Sequence, residues 1–139
     1  MAITQAMTTS FKLEILDGVH DLNTDVIKIA LYTSAAVLGA TTTAYTTSNE
    51  TTGTAYVAGG NTLAGATITT SGTTAFATFN TSTWSAASFV AGGALIYNSS
   101  KANTAIAVLD FGGDQTVSNG EFAVIFPAAN ATDAIIRIA

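Results

Sequence analysis

The chain reads as a mainly β protein, an antiparallel β-sandwich or Greek-key barrel with one short amphipathic helix near the N-terminus. Three observations carry this expectation. Short runs rich in β-branched and aromatic residues recur: VIKIALY, GALIY, AIAVLDF, FAVIF and AIIRI. Turn formers punctuate them, among them Ser71-Gly72, the NSSKAN loop at 98–103, Gly112-Gly113 and Asn119-Gly120. Only residues 9–20 repeat apolar side chains at helical spacing. About seven or eight short strands and one helix make the pattern of a sandwich or barrel.

Taken in order, residues 1–10 read as an N-terminal arm able to lie along a partner. Thr8, Thr9 and Ser10 offer N-cap hydroxyls. Phe11, Ile15, Leu16, Val19 and Leu22 then form a helical stripe, with Lys12, Glu14, Asp17 and Asp21 mainly off it. Gly18 weakens the last turn. The helix, over about residues 9–20, packs on a sheet or on a neighbouring subunit. Residues 26–32 (VIKIALY) form the first strand.

Residues 33–60 are polar, Thr-rich and too long for a simple turn, so they read as a surface excursion. Tyr45, Tyr56 and Gly59-Gly60 are its fixed points. Residues 63–70 and 73–79 form a hairpin through Ser71-Gly72. Phe76 and Phe79 cannot share a face of a regular strand. The stretch 91–127 reads as a central β-meander. Residues 105–111 are apolar at nearly every position, so a strand there buries both faces. Asn119-Gly120 accepts positive φ and is the strongest hairpin signal in the chain. After it Phe122, Val124 and Phe126 share one face, Ala123 and Ile125 the other, and Pro127 ends the ladder. Residues 134–138 close the strands.

Length and composition narrow the function. At 139 residues the length prior is a single domain, 1–139, with strands across 26–138. Cysteine is absent, which removes disulfides, a thiol nucleophile and thiolate metal sites. The first residues carry no secretory pattern, and no apolar run nears the roughly 20 residues of a membrane span. Net charge is −5 and the four basic residues stand singly, which argues against nucleic-acid phosphates. Charged residues make up 9% of the chain, against about 25% in ordinary soluble domains. Mean hydropathy is +0.43. A surface so poor in charge gives little electrostatic solubility and little protection to sheet edges. It fits a component of an assembly.

Residues that could carry chemistry are few. His20 is the only histidine, beside Asp17, Asp21 and Asp25. A metal or acid–base role needs further ligands, so a helix-end histidine among solvated acids is the better reading. No GxSxG elbow exists to build a triad on it. Asp110, Asp114 and Glu121 surround a glycine turn as a calcium site would, but their spacing is not that of an EF-hand. Asp110-Phe111-Gly112 spells a kinase tripeptide without the rest of a kinase. The paired glycines at 59–60, 92–93 and 112–113 do not sit between a strand and a helix, as a phosphate cradle requires. Sequon matches at Asn49, Asn80, Asn98 and Asn130 are chance products of a Thr- and Ser-rich chain. Tyr45, Tyr56, Trp84 and Tyr97 could form an aromatic platform for sugars, though core or interface packing is favoured for such rings. Phe11, Ile15, Tyr45, Tyr56, Trp84, Phe89 and Tyr97 are the residues expected at interfaces. No cofactor, metal or catalytic residue is expected.

The segments FKLEILDGVHDLNTDVIKIALYTSAA, TTTAYTTSNETTGTAYVAGG, FVAGGALIYNSSKANTAIAVLDFGG and VSNGEFAVIFPAANATDAIIRIA span nearly the whole chain. In these the sequence resembles a group of small bacteriophage virion structural proteins. The resemblance implies no enzyme activity and carries over no site residues. It leads to the expectation of a capsid decoration (cement) protein on the outside of the phage head. Its partners would be itself, as a homotrimer, and the major capsid protein, with no nucleic acid and no membrane. A tail, neck or fibre component, or a carbohydrate-binding adsorption module, are the alternatives.

Overall fold

The computed structural model describes residues 3–138. Strands take up 49% of the chain and helix 6%, so the fold is mainly β, as its patterning predicts. The elements are β1 (Ala6–Met7), α1 (Thr9–Leu16), β2 (Ile27–Tyr32), β3 (Asn61–Thr62), β4 (Thr67–Ser71), β5 (Thr74–Thr78), β6 (Ser82–Asn98), β7 (Thr104–Val124) and β8 (Ile136–Ile138). They form a five-stranded sheet in the order β1-β7-β6-β2-β3 and a three-stranded sheet in the order β4-β5-β8. All strand pairs are antiparallel. This is a β-sandwich.

The larger sheet is buried on both faces. Along β2, Ile27, Ile29 and Leu31 enter one apolar cluster, while Ala30 and Tyr32 enter another. The inner cluster lies between the sheets and takes Phe11 from the helix, Ile96 and Ile106 from the long strands, and Ala77 and Ile136 from the smaller sheet. The outer cluster joins Leu95, Tyr97 and Val108 to Ala36 and Leu38 of the 33–60 segment. Burial from both sides explains why VIKIALY and AIAVL are nearly continuous apolar runs rather than alternating ones.

The 91–127 stretch is not a meander. β6 and β7 are single strands of 17 and 21 residues forming one long hairpin, whose turn is at 99–103. Asn119-Gly120 lies inside β7, with Gly120 opposite Ala87. Asn119 has φ +51°, and Ala86, in the irregular stretch of β6 between Trp84 and Ala87, has φ +49°. Asparagine tolerates left-handed backbone, and a bulge uses that conformation as readily as a turn does. Gly112 and Gly113 also bulge outward, because Ala91 pairs with Gln115 and Gly93 with Asp110. These irregularities bend the ribbon, and its distal half brings Trp84, Phe89 and Val124 into the inner core.

The N-terminal arm differs from expectation by folding onto the chain's own sheet, while the last strand forms at Ile136–Ile138 as expected. Met1 and Ala2 of the expected arm lie outside the described residues, as does Ala139. From Ile3 onward the arm is taken up. Ile3 is buried and bridges Leu38, and β1 pairs with β7 at Ala107 and Val108. Thr8 caps α1 by accepting from the Phe11 N–H, as its hydroxyl predicts. That hydroxyl also reaches the Ala105 and Ile106 carbonyls of β7 at 3.2 Å. The helix stops at Leu16 rather than near residue 20, because Gly18 turns the chain at φ +71°. Leu16 of the expected stripe is left 85% exposed.

The β4–β5 hairpin turns through Gly72 and Thr73. Gly72, at φ +60°, supplies the positive φ that the first position of such a two-residue turn requires. Phe76 and Phe79 are both buried, Phe79 lying just past the end of β5, where the chain has left the ladder.

Candidate functional site

The 33–60 segment is anchored rather than loose, and Glu50 is the anchor. Glu50 is 9% exposed. Its Oε1 accepts the Tyr45 hydroxyl at 2.7 Å. Its Oε2 accepts the Tyr56 hydroxyl at 2.6 Å and the Gly59 N–H at 2.8 Å. The Tyr56 oxygen in turn accepts the Leu31 N–H of β2 at 2.9 Å. Tyr97, on β6, donates to the Gly59 carbonyl at 2.7 Å, and Tyr32 donates to the Thr46 carbonyl at 2.6 Å. The Tyr45 and Tyr97 rings stack at 4.8 Å. Every tyrosine of the chain thus holds this segment against the large sheet.

Burial favours the neutral phenol, and each tyrosine is shifted upward mainly for that reason. For Tyr45 and Tyr56 the hydrogen bond to Glu50 adds to it. Tyr97 is pushed up to about 12, by burial first and by the Glu50 charge second. Next in the chain, Gly60 has φ +76°, and a Cβ there would collide with the Ile29 backbone. Only glycine lets the segment press this closely on β2. A carboxylate with both oxygens occupied by hydroxyl and amide donors orders backbone.

A second network ties the loop after α1 to the end of β6. The His20 side chain is fully buried and lies past the end of α1, while its acidic neighbours Asp17 and Asp21 stay exposed. Asn98 donates its amide to His20 Nδ1 at 2.9 Å and to Asp25 Oδ2 at 2.8 Å, while its Oδ1 accepts the Ser100 N–H. Nδ1 therefore accepts, and His20 Nε2–H donates to Glu14 Oε1 at 2.9 Å. Asp25 also accepts the Asp21 N–H at 3.0 Å, with Lys101 Nζ at 3.7 Å. The Asn98 bond first, and the Asp21 N–H second, hold the Asp25 carboxyl below its ordinary value.

The residues expected at interfaces are largely consumed inside the fold. Phe11, Tyr56, Trp84, Phe89 and Tyr97 are all buried. Trp84, at 3% exposure, packs edge-on to Phe89 and Phe122 and near-parallel to Tyr56. Of the four rings considered as a sugar platform, Tyr56, Trp84 and Tyr97 are enclosed and present no flat face to a sugar, which leaves only Tyr45 partly open. Ile15 and Tyr45 alone of the seven are half-buried. Asp110 caps the Gly112 N–H of its own turn, and Asp114 accepts from the Ser34 N–H and hydroxyl, tying that turn to the start of the 33–60 segment. Among the described residues no cluster of His, Asp or Glu is placed to hold a metal ion.

The exposed apolar side chains are ones that periodicity assigned to the core or passed over: Leu13, Leu16, Val37, Val57, Ile125 and Ile138 are all more than half exposed. Leu16 and Ile138 border an apolar groove between α1 and the smaller sheet, floored by Phe11, Ile15 and Ile136. Its upper part has a volume of about 450 Å³. Among the described residues no helix is long and apolar enough to cross a membrane.

Glu50 carried a readable signal: it is the sole charged residue between Lys28 and Lys101. A lone charge in so long an uncharged stretch marks either an exposed tip or a buried anchor, and periodicity does not distinguish them. Compared with protein-family models, curated proteins and solved structures, the chain matches none.

Proposed function

We propose that this chain is a non-enzymatic structural subunit of a phage particle, a decoration protein that binds the outside of the head lattice and reinforces it. The observation that carries the reading is a sandwich that is poor in charge and leaves several large apolar side chains exposed. Leu16 at 85%, Ile125 at 76% and Val57 at 74% exposure sit on a chain with 9% charged residues. Apolar surface of this kind is stabilised by contact with other subunits, at about 25 cal/mol per Å² before the cost of association. The sequence resemblance to small virion proteins points the same way.

Mechanically, such a subunit bridges neighbouring capsid proteins and opposes their separation under internal pressure. A reconstruction of the particle containing this chain tests the reading. Density at repeated positions over the outer head, with loss of heat or osmotic resistance in particles lacking the chain, supports it. Density confined to neck, tail or fibres, or unchanged resistance, overturns it.

A further inference from the structure

The smaller sheet has an edge that nothing defends. All five residues of β4, Thr67–Ser71, are exposed. The strand contains no charge, no proline and no bulge, the usual devices that keep an edge from pairing. The other edges are blunted. β1 and β3 are two residues each, β8 carries Arg137, and the distal part of β7 is broken by bulges and bears Asp114 and Glu121.

The pairing phase of β4 follows from its turn. Ser71 and Thr74 close a two-residue loop, so they exchange backbone hydrogen bonds, as do Thr69 with Phe76 and Thr67 with Thr78. The N–H and C=O groups of Ile68 and Thr70 then point away from β5, and no backbone or side-chain partner meets them among the described residues. We infer that β4 pairs antiparallel with β4 of a second copy of this chain, joining two smaller sheets across a two-fold axis at Thr69.

The occupant is a second copy because this edge is complementary to itself. The one register that overlaps the whole strand sets Thr69 against Thr69 of the copy. It sets Ile68 against Thr70 of the copy, and Thr70 against Ile68. Those are the residues whose backbone groups face outward, so each such pair exchanges both bonds. Thr–Thr is a favourable cross-strand pair, and with no charge on the strand there is no like-charge contact at the axis. Ile68 is 47% exposed at the mouth of the apolar groove, and the copy's strand lies along that open flank. An isologous contact of this kind closes on itself. The inference stands on the edge geometry and not on the virion reading, and it makes the unit two-fold in place of the expected trimer.

Sedimentation velocity on the full chain over a wide concentration range tests it. The wild-type chain is expected to sediment as two copies that separate on dilution. Thr70→Pro removes an outward N–H that no internal bond uses, and abolishes the pair while the far-UV circular dichroism is retained. Thr69→Lys and Thr69→Glu are each expected to run as single chains, because each puts like charges at the axis. An equimolar mixture of the two recovers the two-chain species. A single-chain mass for the wild type at every concentration overturns the inference, as does a mass above two chains. So does failure of the charge-swapped mixture to associate, which decides the matter even if Thr70→Pro does not fold.

Discussion

The Tyr56 hydroxyl donates to Glu50 Oε2 at 2.6 Å while its oxygen accepts the Leu31 N–H at 2.9 Å. One phenol therefore couples a buried carboxylate in the 33–60 segment to the backbone of a central strand. Removing either partner leaves a buried polar group without its bond, which costs more than the bond's net worth.

Tyr56→Phe is expected to lower stability by about 1–3 kcal/mol, since both the Leu31 N–H and the Glu50 carboxylate lose a partner. Glu50→Gln carries a similar penalty, because its amide cannot accept from Tyr45, Tyr56 and Gly59 together. Urea unfolding followed by circular dichroism measures both. A midpoint unchanged from wild type would mean that Glu50 does not anchor the segment.

The tyrosines set the alkaline limit of the fold. Their folded-state values all lie above the ordinary 10. The folded state therefore favours the neutral phenol. The associated stability is whole below pH 10 and is lost as pH rises through the shifted values. Phenolate absorbance is expected to appear above pH 10 in one cooperative step, together with loss of near-UV dichroism. Gradual ionisation centred on 10, with the fold intact, is the contrary result.

Asp25 sets part of the acid limit, with the opposite sign. Its carboxyl is held below the ordinary 3.8, chiefly by the Asn98 amide. The ionised form belongs to the folded state, so its contribution is whole above pH 3.8 and lost as pH falls through the lowered value. The stability gap between wild type and Asp25→Asn is expected to narrow as pH drops below 3.8. A gap that stays constant with pH would exclude this linkage.

Fold class was legible because it rests on local pattern. VIKIALY announces a strand, AIAVL a strand buried on both faces, Ser71-Gly72 a hairpin, and Thr8 a helix start. Each is a statement about neighbours in sequence, where propensity and periodicity act directly. The sequence by itself thus determined the β class, the N-cap and the shortage of surface charge. The tertiary structure alone decided the rest. Asn119-Gly120 became a bulge because a left-handed asparagine suits bulge and turn alike, and only the partner strand chooses. Trp84 and Phe89 went inward because bulges bend the ribbon over the core. Glu50 became an anchor because tyrosines from positions 32, 45, 56 and 97 close around this segment, a convergence across long loops that no local window contains.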